Sequence, residues 1–211
     1  MSAVKILLAE DHMIVRSGVR MILESEFGKI SLTEVDNSID LFTAIKSDDF
    51  NLLILDLILR DGNNFRLVET IKTIKPELKI LCFTMLPEFV YGKRLLTMGA
   101  SGFINKRRTD LEFLNAIRKI LNNQTYVSQA LSDDIVKGAL SQKSVNPFEE
   151  LSNREFQTML MMLEGKTTKD IAGDLSVQGT TVATYRSRLF EKLNVTSVIE
   201  LHNLASVFSI I

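Results

Sequence analysis

Five polar residues in the first half of the 211-residue sequence have types and spacing suited to chemistry: the pair Glu10 and Asp11, then Asp56, Thr84 and Lys106. Each closes or follows a short apolar run. Carboxylates crowded together repel one another unless a cation neutralises them. Hard oxygen donors of this kind suit Mg2+, which prefers one or two carboxylates, several waters and a phosphate. A lysine ammonium beside them binds a phosphoryl oxygen as a point charge, and a threonine hydroxyl donates to another. The set fits phosphoryl transfer to a carboxylate. His12 adjoins the acidic pair, but one loop histidine without a second ligand reads as solvated.

The elements that must gather these residues are legible from periodicity. Val4 to Ala9, Leu52 to Leu55, Ile80 to Thr84 and Gly102 to Ile104 read as strands, with a further short strand near 30–35. Amphipathic segments near 13–26, 38–47, 63–74, 88–98 and 109–121 read as helices. Strands and helices in alternation predict an α/β fold, a doubly wound parallel sheet of five strands whose carboxyl ends share one edge. An isolated acidic pair is ordinarily a solvated loop or a helix cap, and one strand-end Asp or Thr says little. The ordered combination at successive strand ends carries the reading.

With those residues in place, residues 1–122 resemble the receiver domain of two-component response regulators, a flavodoxin-like fold. The resemblance implies that Asp56 accepts a phosphoryl group from a sensor histidine kinase. It further implies that Asp11, Asp56 and the main-chain carbonyl of Ile58 hold Mg2+, with Glu10 supporting the metal through water. Thr84 and Lys106 would contact phosphoryl oxygens, and Phe103, three before the lysine, occupies the aromatic switch position. The run Gly99-Ala100-Ser101-Gly102-Phe103 is particularly like the NarL/FixJ subfamily. Arg60 stands where the family usually has proline, within Leu59-Arg60-Asp61-Gly62-Asn63-Asn64, and Arg107 follows the lysine where proline or an acid is usual. Neither removes a chemical group from the pocket. Both bear on loop rigidity and phosphoryl lifetime, as do Ile58 and Met85, which are expected to flank the site.

From residue 123 to 147 the pattern weakens into a polar linker with Asn122, Asn123, Gln124, Ser141, Gln142, Ser144, Asn146 and Pro147 in or beside it, partly helical over 128–140. Four helical segments follow at about 152–164, 167–175, 179–192 and 197–207. Ser152 with Glu155, Thr167 with Asp170 and Ser197 with Glu200 give three of them capping-box starts. Ser176-Val177-Gln178-Gly179 supplies the turn of a helix-turn-helix, with Gly179 expected at the tight link. The next helix has an apolar side and a second side bearing Thr180, Ala183, Thr184, Arg186, Ser187, Arg188 and Lys192. Small and hydroxyl groups approach base edges closely and flanking cations pair with phosphates, the layout of a recognition helix in the major groove.

Residues 148–211 resemble the LuxR-type helix-turn-helix domain, through Leu151-Ser152-Asn153-Arg154-Glu155, Lys169-Asp170-Ile171-Ala172 and the long run Thr181 to Val195. That likeness implies base contacts from Ala183, Thr184 and Ser187, and phosphate contacts from Thr181, Arg186, Arg188 and Lys192. Gln178 replaces the serine common before this helix, and Ala183 stands where many relatives carry lysine. A DNA sequence preference therefore cannot be carried over. The implied protein binds double-stranded promoter DNA, forms a homodimer when phosphorylated, and catalyses at most its own aspartyl phosphorylation and dephosphorylation.

Composition sets the outer limits. Apolar residues make up 45% and charged residues 24%, close to the globular average, and the one cysteine, Cys82, lies in an apolar run without a partner. With no signal peptide and no apolar stretch long enough to span a bilayer, the expectation is a cytoplasmic protein without membrane association. The whole chain carries a net charge of −1. Residues 148–211 alone hold six Lys/Arg against eight Asp/Glu, so a DNA reading rests on where the cations sit. A phosphate-insensitive receiver fused to a constitutive DNA binder is one alternative, against which the complete pocket argues. A flavodoxin-like enzyme is another, but neither a phosphate-cradling glycine loop nor a nucleophile elbow is present.

Overall fold

The computed structural model describes residues 4–63, 65–140 and 146–211. Asn64 of the loop after Asp56 and Ser141, Gln142 and Ser144 of the linker lie outside the described residues. The chain divides into two compact units, Met1–Ile135 and Val136–Ile211.

The first unit is built from β1 (Val4–Ala9), α1 (Met13–Phe27), β2 (Ile30–Val35), α2 (Ser38–Ser47), β3 (Leu52–Leu55), the two-residue strands β4 (Ile58–Leu59) and β5 (Gly62–Asn63), α3 (Leu67–Ile74), β6 (Lys79–Thr84), α4 (Glu88–Thr97), β7 (Gly102–Asn105), α5 (Asp110–Leu121) and the start of α6 (Gln129–Leu140), which crosses the boundary between the units. Five strands pair in parallel in the order β2-β1-β3-β6-β7. Leu52 to Leu55 are buried throughout, as a central parallel strand covered on both faces requires. On one face Ile6, Leu8, Leu52, Ile54, Leu81 and Ile104 meet Val19 and Leu23 of α1 and Phe113, Ala116, Ile117 and Ile120 of α5. Side-chain alternation turns Leu7, Leu53 and Leu55 to the opposite face, where right-handed crossovers put α2, α3 and α4. Burying one such side chain contributes about 1.5–3 kcal/mol, so the sheet with its two helical layers dominates the stability of this unit.

Two departures from the expected elements have local causes. Helix α3 starts at Leu67 rather than near 63, because Ile58 pairs with Asn63 and Leu59 with Gly62 in a small antiparallel hairpin that takes up the loop. The compact unit also runs past residue 122, the expected end of the domain. Tyr126 bridges to Gly102 beside β7, and Tyr126 and Leu131 are buried. A capping box that the sequence reading passed over, Thr109 with Glu112, opens α5.

The second unit contains a 3-10 turn (Pro147–Glu150), which was not anticipated, then α7 (Asn153–Leu163), α8 (Thr168–Leu175), α9 (Gly179–Leu193) and α10 (Val198–Val207). Capping boxes close at Ser152–Glu155 and Thr167–Asp170. At the third start only half the box forms: Ser197 accepts from the Glu200 amide, while the Glu200 carboxylate turns to Thr196. Ile171, Leu175 and Val182 lock α8 onto α9. The left-handed residue of the turn between them is Ser176, at φ 53°, and not Gly179. Gly179 is the first residue of α9 with open space around it, so the link needs no glycine there.

Candidate phosphoacceptor pocket and nucleic-acid face

Backbone hydrogen bonds extend each ladder one residue beyond its strand and so fix the pocket. The amide of Glu10 donates to Val35 O, that of Asp56 to Ala9 O and that of Lys106 to Thr84 O, at 3.0, 2.9 and 3.0 Å. Glu10, Asp56 and Thr84 are buried as a result. The Lys106 ammonium lies against Glu10 Oε2 and 2.6 Å from Asp56 Oδ2, with the lysine side chain only 9% exposed. Asp56 Oδ1 accepts from the Ile58 amide at 3.1 Å. The expected members of the pocket, Glu10, Asp11, Asp56, Thr84 and Lys106, thus close one edge of the sheet. Thr84 Oγ1 is taken up by the Leu86 amide at 3.4 Å. Phe103 is fully buried in β7, opposite Cys82.

Two buried carboxylates against one ammonium leave net negative charge, which favours a further cation. Glu10, Asp11, His12 and Asp56 offer ligand atoms that all lie within 4.8 Å of one another. The buried Asp11 Oδ1 accepts no hydrogen bond of normal geometry among the described residues; the His12 ring stands 2.7 Å away. Carboxylate oxygens with one donor unsatisfied fit a hard divalent ion such as Mg2+. His12, expected to be solvated, is indeed 67% exposed, yet its Nδ1 touches both Glu10, at 3.0 Å, and Asp11. Arg16, which the sequence offers as a kinase-facing or solvated residue of the first helix, instead donates its guanidinium to Glu10 O at 2.6 Å, a support that sequence reasoning missed. Asn105 was missed too; its amide donates to the carbonyls of Met85 and Leu86. A one-turn offset between Arg16 and His12 and the strand-end position of Asn105 were the available signals.

Where proline is usual, Arg60 reaches Asp36 at 3.2 Å, and the Ser38 amide and hydroxyl donate to Asp61. These ties hold the loop to the start of α2 in place of a rigid ring. Ile58 and Met85 are half-exposed, giving the pocket an apolar rim. Burial pushes the Cys82 thiol well above its ordinary range, with the Asp56 charge adding to the effect, so this thiol stays protonated and unreactive.

On α9, Ala183, Thr184, Arg186, Ser187 and Arg188 are exposed and Thr181 is half-buried, while Val182, Leu189 and Leu193 face the core. Thr184 returns its hydroxyl to Thr180 O at 3.0 Å, and the Arg186 guanidinium lies over the Phe190 ring. Lys192 stands apart from the other cations. Its ammonium is 2.6 Å from Oε2 of Glu155, a buried residue of α7. Burial pushes the Glu155 carboxyl up, but hydrogen bonds from Lys192 and from Ser152 outweigh it and hold the group below the ordinary glutamate value.

Among the described residues no helix is long and apolar enough to cross a membrane. The family model for the response regulator receiver domain matches residues 6–118, and that for the bacterial regulatory proteins of the luxR family matches residues 149–205. The chain is 30% identical to the virulence-factor transcription regulator BvgA of Bordetella pertussis, covering 95% of this chain and 96% of that protein. It is 28% identical to the response regulator UvrY of Escherichia coli, over 96% and 93%. The structure of RcsB from Salmonella enterica serovar Typhimurium, bound to promoter rprA with the phosphomimetic BeF3−, is similar at a TM-score of 0.79 and 25% identity, covering 97% of this chain and 99% of that one. Receiver, acidic strand-end pocket and helix-turn-helix therefore come together in one assignment: this chain belongs to the NarL/FixJ-type response regulators, transcription regulators that join a receiver domain to a LuxR-type DNA-binding domain.

Proposed function

We propose that Asp56 is the phosphoacceptor, that a sensor histidine kinase is the donor, and that phosphorylation controls promoter binding by α9. The observation that carries this reading is the buried Lys106 ammonium against both Glu10 and Asp56. An Asp56 carboxylate oxygen forms the new P–O bond as the donor's bond to phosphorus breaks and the leaving group takes the electron pair. Asp11, Asp56 and the Ile58 carbonyl would hold Mg2+, with Glu10 behind them through water; the ion, when bound, neutralises charge on the carboxylates and the incoming phosphoryl oxygens. Lys106 then shifts part of its contact to a phosphoryl oxygen. Thr84 turns its hydroxyl from the Leu86 amide to another, and Phe103 reports the change along β7. Local charge in this way biases a two-state surface.

At the other end, Ala183, Thr184 and Ser187 face bases, and Thr181, Arg186 and Arg188 contact phosphates. Lys192 divides its charge between DNA and Glu155. A unit carrying net negative charge binds one half-site weakly, so a homodimer that joins two such units raises effective concentration. The protein acts in the cytoplasm on double-stranded DNA. Its only chemistry is on its own aspartate. Intact mass and oligomeric state of the wild type and of Asp56→Asn, after incubation with a small acyl phosphate and Mg2+, test the reading. One phosphoryl group gained by the wild type alone, with a shift to dimer, is the expected result. No gain in either protein overturns it in favour of a constitutive DNA binder.

A further inference from the structure

The segment that follows α5 is fastened to the side of the receiver that carries Thr84. Tyr126 enters beside β7, its amide donating to Ser101 O at 2.9 Å and its carbonyl accepting from Phe103 at 3.3 Å. Two residues on, Ser128 Oγ donates to Glu88 Oε2 at 2.8 Å and accepts from the Leu131 amide at 3.1 Å. One hydroxyl thus caps α6 and ties it to the first turn of α4. Leu131 is buried beside Gly92, where an added Cβ would stand 2.7 Å from Leu131 Cδ2. A side chain at position 92 would have to push the end of Leu131 aside, so Gly92 gives Leu131 its seat on α4.

This attachment is poised to break. The second oxygen of Glu88, Oε1, is buried and accepts no hydrogen bond among the described residues, and Arg108 is 3.9 Å from Oε2. A carboxylate satisfied on one side only gives a weaker hold than a completed network. Glu88 also lies four residues after Thr84. Between them, Leu86 is held by Thr84 Oγ1, and Asn105 holds the carbonyls of Met85 and Leu86. When the Thr84 hydroxyl leaves Leu86, one of these three restraints on the approach to α4 is lost.

We propose that Ser128–Glu88 and Leu131–Gly92 form a latch that pins the start of α6 on α4 while Asp56 is unphosphorylated, and that recruitment of Thr84 opens it. Helix α6 crosses from the first unit into the second between Ile135 and Val136, so opening loosens the tether of the DNA-binding domain. The inference rests on the reading of Asp56 and Thr84 given above. Amide hydrogen exchange of the full chain over residues 131–135, with intact mass read in parallel, tests it on the wild type, Thr84→Ala and Ser128→Ala. With acyl phosphate and Mg2+, the wild-type amides should exchange about tenfold faster, the loss of roughly one hydrogen bond's hold. Ser128→Ala and Thr84→Ala should both exchange fast before any phosphate is added, and phosphorylating Thr84→Ala should accelerate its exchange no further. Phosphorylated wild type with unchanged exchange overturns the latch and leaves the phosphoacceptor standing. Equal acceleration in wild type and Thr84→Ala, or a Ser128→Ala variant as slow as wild type, also overturns it. No gain of mass removes the phosphoacceptor and the latch's trigger together.

Discussion

In the first unit the cation of the pocket is enclosed, Lys106 being 9% exposed between two carboxylates that are themselves buried. On α9 the cations Arg186 and Arg188 stand in solvent, and the one that finds a carboxylate, Lys192, does so at the edge of the domain core. The difference separates two uses of charge. A reaction at a carboxylate needs its partners in place beforehand, so the fold supports their desolvation with fixed geometry. A DNA backbone supplies its own dense charge and the protein needs only to present cations to it. Enclosed charges therefore couple to stability, and exposed ones to salt.

The sharpest way to break this comparison is to remove the enclosed cation. Lys106→Ala leaves Glu10 and Asp56 facing each other uncompensated, and the first unit should lose about 3 kcal/mol or more in chemical denaturation without divalent ions. Millimolar Mg2+ should restore part of that loss if the acidic pocket holds the ion. A variant as stable as wild type in EDTA would show that the pocket is wetter than its burial indicates.

Glu155→Gln tests the intermediate case. It removes the charge-assisted bond to Lys192 and should cost the second unit about 1–2 kcal/mol. The sign of its pH dependence follows from a folded-state value held low. The stabilisation is present above the unfolded glutamate value of about 4.3 and is lost as pH falls through the folded one. Wild-type and Glu155→Gln stability curves should converge in acid and separate toward neutrality. Curves parallel across that range would deny Lys192 its structural role.

For the exposed cations the readout is salt. Arg188→Ala should change stability little, weaken DNA binding by about tenfold, and lower the slope of log K against log salt by about 1. Lys192→Ala should change that slope less, because Glu155 already claims part of its charge. A full unit of slope lost at Lys192 would place it with Arg188 as a phosphate contact and erase the difference between the two cations.

These two regions were also unequally legible in the sequence. Apolar strands ending in Glu10, Asp56 and Thr84 announce themselves because period and chemistry coincide at one residue, and the ladder bonds that fix them follow from the strands. The supports around them did not announce themselves. Arg16 reaches the Glu10 carbonyl from the next helix, and Asn105 holds a loop twenty residues away in sequence, contacts that depend on packing angles rather than on pattern. The hairpin at Ile58–Asn63 was hidden for the same reason, since two-residue strands have no period to detect. On α9 the apolar side was readable and the exposed cations followed, whereas Glu155 and Lys192, 37 residues apart on different helices, had no local signal.

The smallest predicted effect concerns the start of α9. Gln178 occupies the N-cap in extended backbone but makes no side-chain cap, and the first turn of the helix carries no acidic residue. Its long side chain must give up more freedom than a serine to reach the free amides, and Ser, Thr, Asp and Asn are the strong caps for that reason. Gln178→Ser should therefore stabilise the second unit by about 0.5–1 kcal/mol. Arg186, Ser187 and Arg188 lie more than a turn further along α9 and keep their exposure, so the salt slope should stay as it is. A gain in stability accompanied by weaker DNA binding would mean that the uncapped amides themselves serve the phosphate backbone, and that this end of α9 gives up stability to keep them free.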